Sequence, residues 1–218
     1  MIPARALVFD FDLTLADSTA GFDASHSFAA ERLGLPLPDH ESVRRTIGTP
    51  LPLAVPMLYG AAVNGRLDEY IGLYQARADE VMTGLTVMLP GASEAVRRLR
   101  QAGLPLAIVS QKLRYRVEDV LHREALLDYF AVILGAEDVP AFKPDPSGLL
   151  LALERLDVPA LDALYVGDTT IDAEAAANAG LRFVAVLTGP TTSDDFAPHH
   201  PLALLESVAD LPALLALP

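Results

Sequence analysis

Cysteine is absent from the 218-residue chain. No disulfide, thiolate nucleophile or thiolate zinc site is available, and the fold has to rest on packing alone. Basic residues are scarce: 16 Lys and Arg stand against 29 Asp and Glu, a formal charge of −13. A surface of that sign repels nucleic-acid backbones and anionic lipid, so neither is an expected partner. Long apolar runs are missing as well. Leu202 to Leu217 is interrupted by Glu206, Asp210 and Pro212, and nothing approaches the ~18 apolar residues of a membrane span. Met1 to Phe11 carries a single Arg and a short apolar run ending at Asp10, unlike a secretion signal, so a soluble cytoplasmic protein is the expectation. There is no internal repeat and no low-complexity tract. What remains is globular in composition, 51% hydrophobic and 21% charged, at a length that fits one elaborated domain or a core with an insert.

Ala6-Leu7-Val8-Phe9 is a short apolar run, and similar runs recur at Leu104 to Val109, Val132 to Leu134, Ala163 to Val166 and Phe183 to Leu187. Each reads as a buried strand. Between the later runs the apolar spacing turns helical, over Ser93 to Gln101, Tyr115 to Arg123, Pro146 to Leu156 and Ile171 to Ala179. Strands alternating with helices predict an α/β fold, a doubly wound, Rossmann-like parallel-sheet core with helices on both faces. The tail adds a weaker pair of apolar stretches, Leu204-Leu205 and Leu211 to Leu215. The gap from Leu13 to Gly103 far exceeds a crossover. Helical spacing over Ser18 to Leu33 and Leu67 to Met82, with breaks at Pro36, Pro38, Pro50, Pro52 and Pro56, predicts a small α-helical cap domain at 16–88. The hydrolase core would then comprise 1–15 and 89–218.

Asp10 and Asp12 stand two apart at the end of the first strand, and the strand period sends both side chains the same way. In an open α/β sheet that edge is where ligands bind, although either Asp alone equally suits a turn or a helix cap. Other polar residues fall at the same edge: Ser110 follows Val109, Asp168 follows Gly167, Asp172 comes one helical turn later, and Lys143 lies in the Phe142-Lys143-Pro144-Asp145-Pro146 loop. Four carboxylates in one pocket repel each other by up to ~4 kcal/mol per pair at ~4 Å and an effective dielectric near 20. A cation has to hold them together. All-oxygen ligands favour a hard ion, Mg²⁺ above all, and with Ser110 and Lys143 added the pocket suits a phosphoryl group.

These segments resemble a known family. Asp10-Phe11-Asp12-Leu13-Thr14-Leu15-Ala16-Asp17-Ser18, Val109-Ser110, Lys143-Pro144-Asp145-Pro146 and Gly167-Asp168-Thr169-Thr170-Ile171-Asp172 are similar to the four ordered motifs of the haloacid dehalogenase-like hydrolase superfamily. The helical insert after the first motif and the Pro90-Gly91 step resemble its phosphoglycolate phosphatase-like branch. The resemblance implies that Asp10 is the nucleophile and forms an aspartyl-phosphate, and that Asp12 protonates the leaving oxygen and later takes a proton from water. It implies that Thr14 and Ser110 bind phosphate oxygens or position the first loop, and that Lys143 neutralises the phosphoryl charge and orients Asp10. Mg²⁺ would lie on Asp10, Asp168 and the Asp12 carbonyl, with Asp172 completing or supporting the site. Leu13 stands where many members have Gly, and Thr169 where many have Ser; neither change removes a group with a catalytic role.

The expected substrate is a small phosphorylated metabolite, 2-phosphoglycolate first, with Arg44, Arg45 and Lys112 as candidates for contacting its carboxylate. A solvated helix face is the alternative for the two arginines. A phosphomutase of the β-phosphoglucomutase type shares every motif. A catalytically silent binding or signalling domain is the rival from another class, against which the insert and the complete motif set argue. A true dehalogenase lacks the acid found here at Asp12. His40, His122 and His199-His200 read as surface residues and His26 as packed. Neither the natural substrate nor the oligomeric state is encoded in a motif.

Overall fold

The computed structural model describes residues 3–217. They fall into two compact units, one formed by the chain up to Ala16 together with the chain from Met88 onward, the other by Asp17–Val87.

The larger unit is organised by a strand with no polar side chain to spare. In β1 (Ala6–Phe9) all four residues are buried. The chain passes on through β2 (Ala16–Asp17) and returns through β3 (Val87–Met88), two-residue strands paired with each other. The main sheet continues with β4 (Leu106–Val109), β5 (Val132–Leu134), β6 (Ala163–Gly167), β7 (Arg182–Val186) and β8 (Ala203–Leu205). Its order is β5-β4-β1-β6-β7-β8 and every pairing is parallel, with Leu7 beside Leu106 and Val8 beside Tyr165. The tail's Leu204-Leu205 stretch is thus an edge strand.

The period of two divides the core. Leu7 and Phe9 join Ile108, Leu164 and Val166 on one face, the other face taking Ala6, Val8, Ala107, Val109 and Tyr165. Four helices, α1 to α4, belong to the smaller unit: α1 (Thr19–Leu33), α2 (His40–Thr46), α3 (Leu51–Tyr59) and α4 (Leu67–Leu85). The larger unit has α5 (Ala92–Gln101), α6 (Arg114–Arg123), α7 (Ser147–Leu156), α8 (Thr170–Ala179), and the single turns α9 (Ser193–Phe196) and α10 (Leu211–Leu214). Val96 and Leu99 of α5, Val117 and Leu121 of α6 and Leu211 of α10 cover the first face. Leu149 and Leu153 of α7 and Ala173 and Ala176 of α8 cover the second. This is the doubly wound architecture. The sheet reverses its winding at β1, between β4 and β6, and the crevice beyond the carboxyl ends of those strands is the natural ligand position.

The smaller unit is helical around Ala29, Leu33, Val55, Tyr70, Tyr74, Ala78 and Met82. Pro36 and Pro38 lie in the coil before α2, and Pro50 and Pro52 begin α3, as helix breakers should. Pro56 instead sits inside α3. Its ring forfeits only one bond of a nine-residue helix, and Gly60 N–H still closes on the Pro56 carbonyl.

His26 is fully buried here. Its Nδ1 lies 2.9 Å from the Tyr70 hydroxyl, which also donates to the His26 carbonyl at 3.2 Å, while Nε2 has no hydrogen-bond partner. Burial pushes this imidazole down to about 4 from 6.5. The unfolded chain therefore binds the extra proton first. The stabilisation is complete above pH 6.5 and drains away as pH falls toward 4, by about 2 kcal/mol between pH 7.5 and 5. Denaturant unfolding of the native protein and of His26→Asn at both pH values should show the native protein losing more stability by that amount, and equal losses would acquit His26.

Candidate active site

Asp10 and Asp12 leave the end of β1 in a turn held by backbone bonds. Asp10 N–H donates to Val166 O at 2.9 Å, Leu13 N–H to Ala16 O at 2.7 Å, and the Thr188 hydroxyl to Leu13 O at 2.5 Å. Leu13 has φ 56°, the left-handed region, which accounts for a glycine being at ease at this position. Its buried side chain is what a glycine would lack.

Lys143 reaches this turn from the loop after β5. Its Nζ lies 2.9 Å from Asp10 Oδ2 and 2.7 Å from Asp172 Oδ1. The Tyr165 hydroxyl completes the group, 3.0 Å from Lys143 Nζ and donating to Asp172 Oδ1 at 2.8 Å. The second oxygen of Asp172 accepts from the backbone N–H and hydroxyl of Thr169 at 3.1 and 2.7 Å, closing a capping box at the start of α8. Asp172 is thus occupied at both oxygens. Asp168 is different: the Thr14 hydroxyl donates to its Oδ1 at 2.8 Å, and Gly189 lies so close to its other oxygen that a Cβ there would overlap the carboxylate.

Carboxylate oxygens of Asp10, Asp168 and Asp172 lie within 4.8 Å of one another, all three residues buried, and form a group able to hold a metal ion. Lys143 pairs with two of them, Asp10 and Asp172. Burial pushes the Asp10 carboxyl up, Lys143 pulls it down and Asp172 pushes it up again, leaving it at about 6. Burial, then Asp172 and Asp10, drive Asp168 well above the ordinary carboxylate range. Burial would raise Asp172 too, but Lys143 and the surrounding hydrogen bonds outweigh it and hold Asp172 low. Burial would strip the proton from Lys143, yet Asp10 and Asp172 raise it above its usual value. Keeping Asp10 and Asp168 both ionised near pH 7 needs one more cation, and hard oxygen ligands suit a hard one.

Asp12 stands apart from this group. Both of its oxygens face Lys112 Nζ, at 2.9 and 3.2 Å. Its side chain is therefore not among the clustered carboxylates. Ser110, at the end of β4, is buried and its hydroxyl accepts from Lys112 N–H at 3.3 Å. Arg44 and Arg45 occupy the last turn of α2 in the smaller unit, where their charge suits the helix's carboxyl end; Arg44 is half-buried and Arg45 exposed.

Four neighbours escaped the sequence reading. Tyr165 was a polar tip on an otherwise apolar strand, and Thr188 and Gly189 follow β7 at the same edge that exposed Ser110 and Asp168. Gln111 lines a narrow crevice with Ser110, Phe142, Lys143 and Asp145, and neither pole of its buried amide is hydrogen-bonded. For Gln111 the sequence offered only adjacency to Ser110.

Residues 7–186, from β1 through β7, match the family model of the haloacid dehalogenase-like hydrolases. The chain belongs to that family. Among its relatives, "Probable phosphatase IndB" of Dickeya dadantii is 30% identical over 208 residues, covering 94% of this chain and 90% of the relative. A phosphoglycolate phosphatase of Yersinia pseudotuberculosis is 30% identical over 221 residues, covering 98% and 94%. The crystal structure of a haloacid dehalogenase-like hydrolase from Bacteroides fragilis superposes with a TM-score of 0.91 at 34% identity, covering 95% of this chain and 99% of that one.

The charge imbalance generates a test within this member of the family. Saturating Mg²⁺ should raise the melting temperature of the native protein, because a cation that binds only the folded carboxylates stabilises it. Gly189→Ala should fold yet lose most of that rise, since its methyl group displaces Asp168. An undiminished rise in this variant would remove Asp168 from the metal site.

Proposed function

We propose that this protein is a Mg²⁺-dependent phosphatase that hydrolyses a small phosphomonoester through an aspartyl-phosphate, with 2-phosphoglycolate as the leading substrate. The observation that carries the reading is the division of labour at the end of β1: Asp10 sits against Lys143 beside Asp168, while Asp12, two residues on, sits against a separate ammonium. One carboxylate is set up for phosphoryl chemistry and the other for proton transfer. The substrate preference is supported by the names of relatives such as the Yersinia enzyme and extends no further than they do.

In this reading an oxygen of Asp10 attacks phosphorus as the bond to the leaving oxygen breaks, and Asp12 gives that oxygen its proton. Water then attacks the phosphorus of the aspartyl-phosphate, Asp12 takes a proton from it, and the bond to Asp10 breaks, releasing inorganic phosphate. Lys143 neutralises charge on the phosphoryl oxygens and keeps Asp10 aligned. Ser110 donates to a phosphate oxygen, and Thr14 holds Asp168 in place. Asp172 acts through Lys143, because its own oxygens are already engaged. Asp10, Asp168 and the Asp12 carbonyl would hold Mg²⁺, which would supply positive charge to the phosphoryl oxygens. The helical segment 16–88 serves as a cap that selects the substrate, with Arg44 and Arg45 as its candidate cations.

Phosphate release from a panel of phosphometabolites should require Mg²⁺ and stop with chelator. Asp10→Asn should never carry phosphate, whereas Asp12→Ala should accumulate phosphoenzyme from an aryl phosphate, read by intact mass. Phosphate found on Asp10→Asn but not on Asp12→Ala would reverse the two roles.

Alanine at Arg44 or Arg45, whichever contacts the substrate, should lower kcat/KM for 2-phosphoglycolate by about ten- to a hundredfold and leave an aryl phosphate nearly unchanged. Equal losses on both substrates would mean damage to the fold and not to recognition.

A further inference from the structure

Each aspartate at the end of β1 has its own buried ammonium, and the sequence motifs account for only one of them. Resting on the phosphatase reading of this site, we propose that Lys112 is the positioning residue of the acid–base carboxylate: it sets the Asp12 side chain in the orientation from which it serves the leaving-group oxygen. It is not a reader of substrate charge.

The first support is the contact itself. Lys112 Nζ meets Asp12 Oδ1 at 2.9 Å and Oδ2 at 3.2 Å, with 3% of the Lys112 side chain and 6% of the Asp12 side chain exposed. A single donor group facing both oxygens fixes the rotation of the carboxylate as well as its place. A Lys so buried and so paired has little to offer a substrate carboxylate. Surrendering it would leave the Asp12 charge buried without a partner, which costs more than an exposed pair could return.

The second support is the rigidity of the base from which Lys112 extends. The loop after β4 is tied to the segment after β5: Ser110 N–H donates to Leu134 O at 3.0 Å, Ala136 N–H to Lys112 O at 3.1 Å, and Arg114 N–H to the Glu137 carboxylate at 3.0 and 3.1 Å. Gly135 permits this approach, since a Cβ there would lie 2.7 Å from Arg114 Cα. Lys112 N–H also donates to the Ser110 hydroxyl, so the phosphate-facing Ser110 and the support of Asp12 share one piece of backbone. Such over-determination is what a group needing placement to a fraction of an ångström demands.

Both chemical steps use Asp12, but kcat/KM reports only the first, and a nitrophenolate leaves without protonation. In the Mg²⁺-loaded full chain, Lys112→Met should lower kcat/KM about ten- to a hundredfold for ethyl phosphate and 2-phosphoglycolate alike, and leave nitrophenyl phosphate within about threefold. For nitrophenyl phosphate kcat and KM should fall together, with phosphoenzyme accumulating in intact-mass spectra, because its hydrolysis still needs Asp12. Lys112→Arg, which keeps the charge with a different reach, should repeat this ordering at smaller amplitude and decides the matter if the Met variant does not fold. A loss confined to 2-phosphoglycolate would make Lys112 a substrate reader and overturn the proposal. Equal kcat/KM losses on all three substrates would overturn it as well, leaving a structural role. A native protein that releases no phosphate from nitrophenyl phosphate with Mg²⁺ would instead defeat the phosphatase reading on which the proposal rests.

Discussion

The ammonium of Lys143, within 3 Å of both Asp10 and Asp172, is the contact around which the rest of the larger unit is arranged. Remove it, and Asp10 and Asp172, both almost wholly dry, lose the ammonium they share beside Asp168. Its position depends on Tyr165, whose ring is part of the sheet's apolar face while its hydroxyl bridges Lys143 and Asp172. It depends equally on the capping box of Thr169 and Asp172, so the device that starts α8 also aims the lysine. Helix capping, strand periodicity and site electrostatics are here a single structure. None of them can be altered without moving the others.

Much of this was legible in the sequence, for an identifiable reason. Parallel strands buried on both faces read as short continuous apolar runs, and each such run here ends abruptly in a polar residue, so the sheet edge is marked by composition: Asp10 after Phe9, Ser110 after Val109, Asp168 after Gly167. Asp172 was legible because a helical turn separates it from Asp168. The partner of Lys112 was not, since 100 residues separate it from Asp12 and only the adjacency of β1 and β4 brings them together. Gly189 was silent for another reason. What matters there is the atom it lacks, and the need for that absence is set by Asp168 across the sheet edge. Pro56 misled because one proline costs a short helix a single bond, which tertiary packing around Val55 can absorb.

The two lysines also divide the charge of an acidic chain with economy. With few basic residues, the protein commits two to almost complete burial within one site. A buried ion pair is seldom a source of net stability, because desolvation consumes most of what attraction returns. Their retention is better understood as orientation of the groups they hold. The arginines of α2 illustrate the opposite case, Arg44 being half-buried and Arg45 exposed.

The strand order has a consequence for how the chain acquires its site in time. β1 is made first, yet its two sheet neighbours are β4 and β6, and Thr14 waits for a partner 154 residues further along the chain. During synthesis the paired aspartates therefore stay solvated until nearly the whole larger unit has emerged. Non-local pairing of this kind is slow, because loop closure must precede any reward from contact. The helical segment, whose core is assembled entirely from residues 29–82, faces no such delay. The order of events follows: the insert can condense while β1 is still alone, and the acidic pocket is completed last, when β6 and α8 bring Asp168 and Asp172.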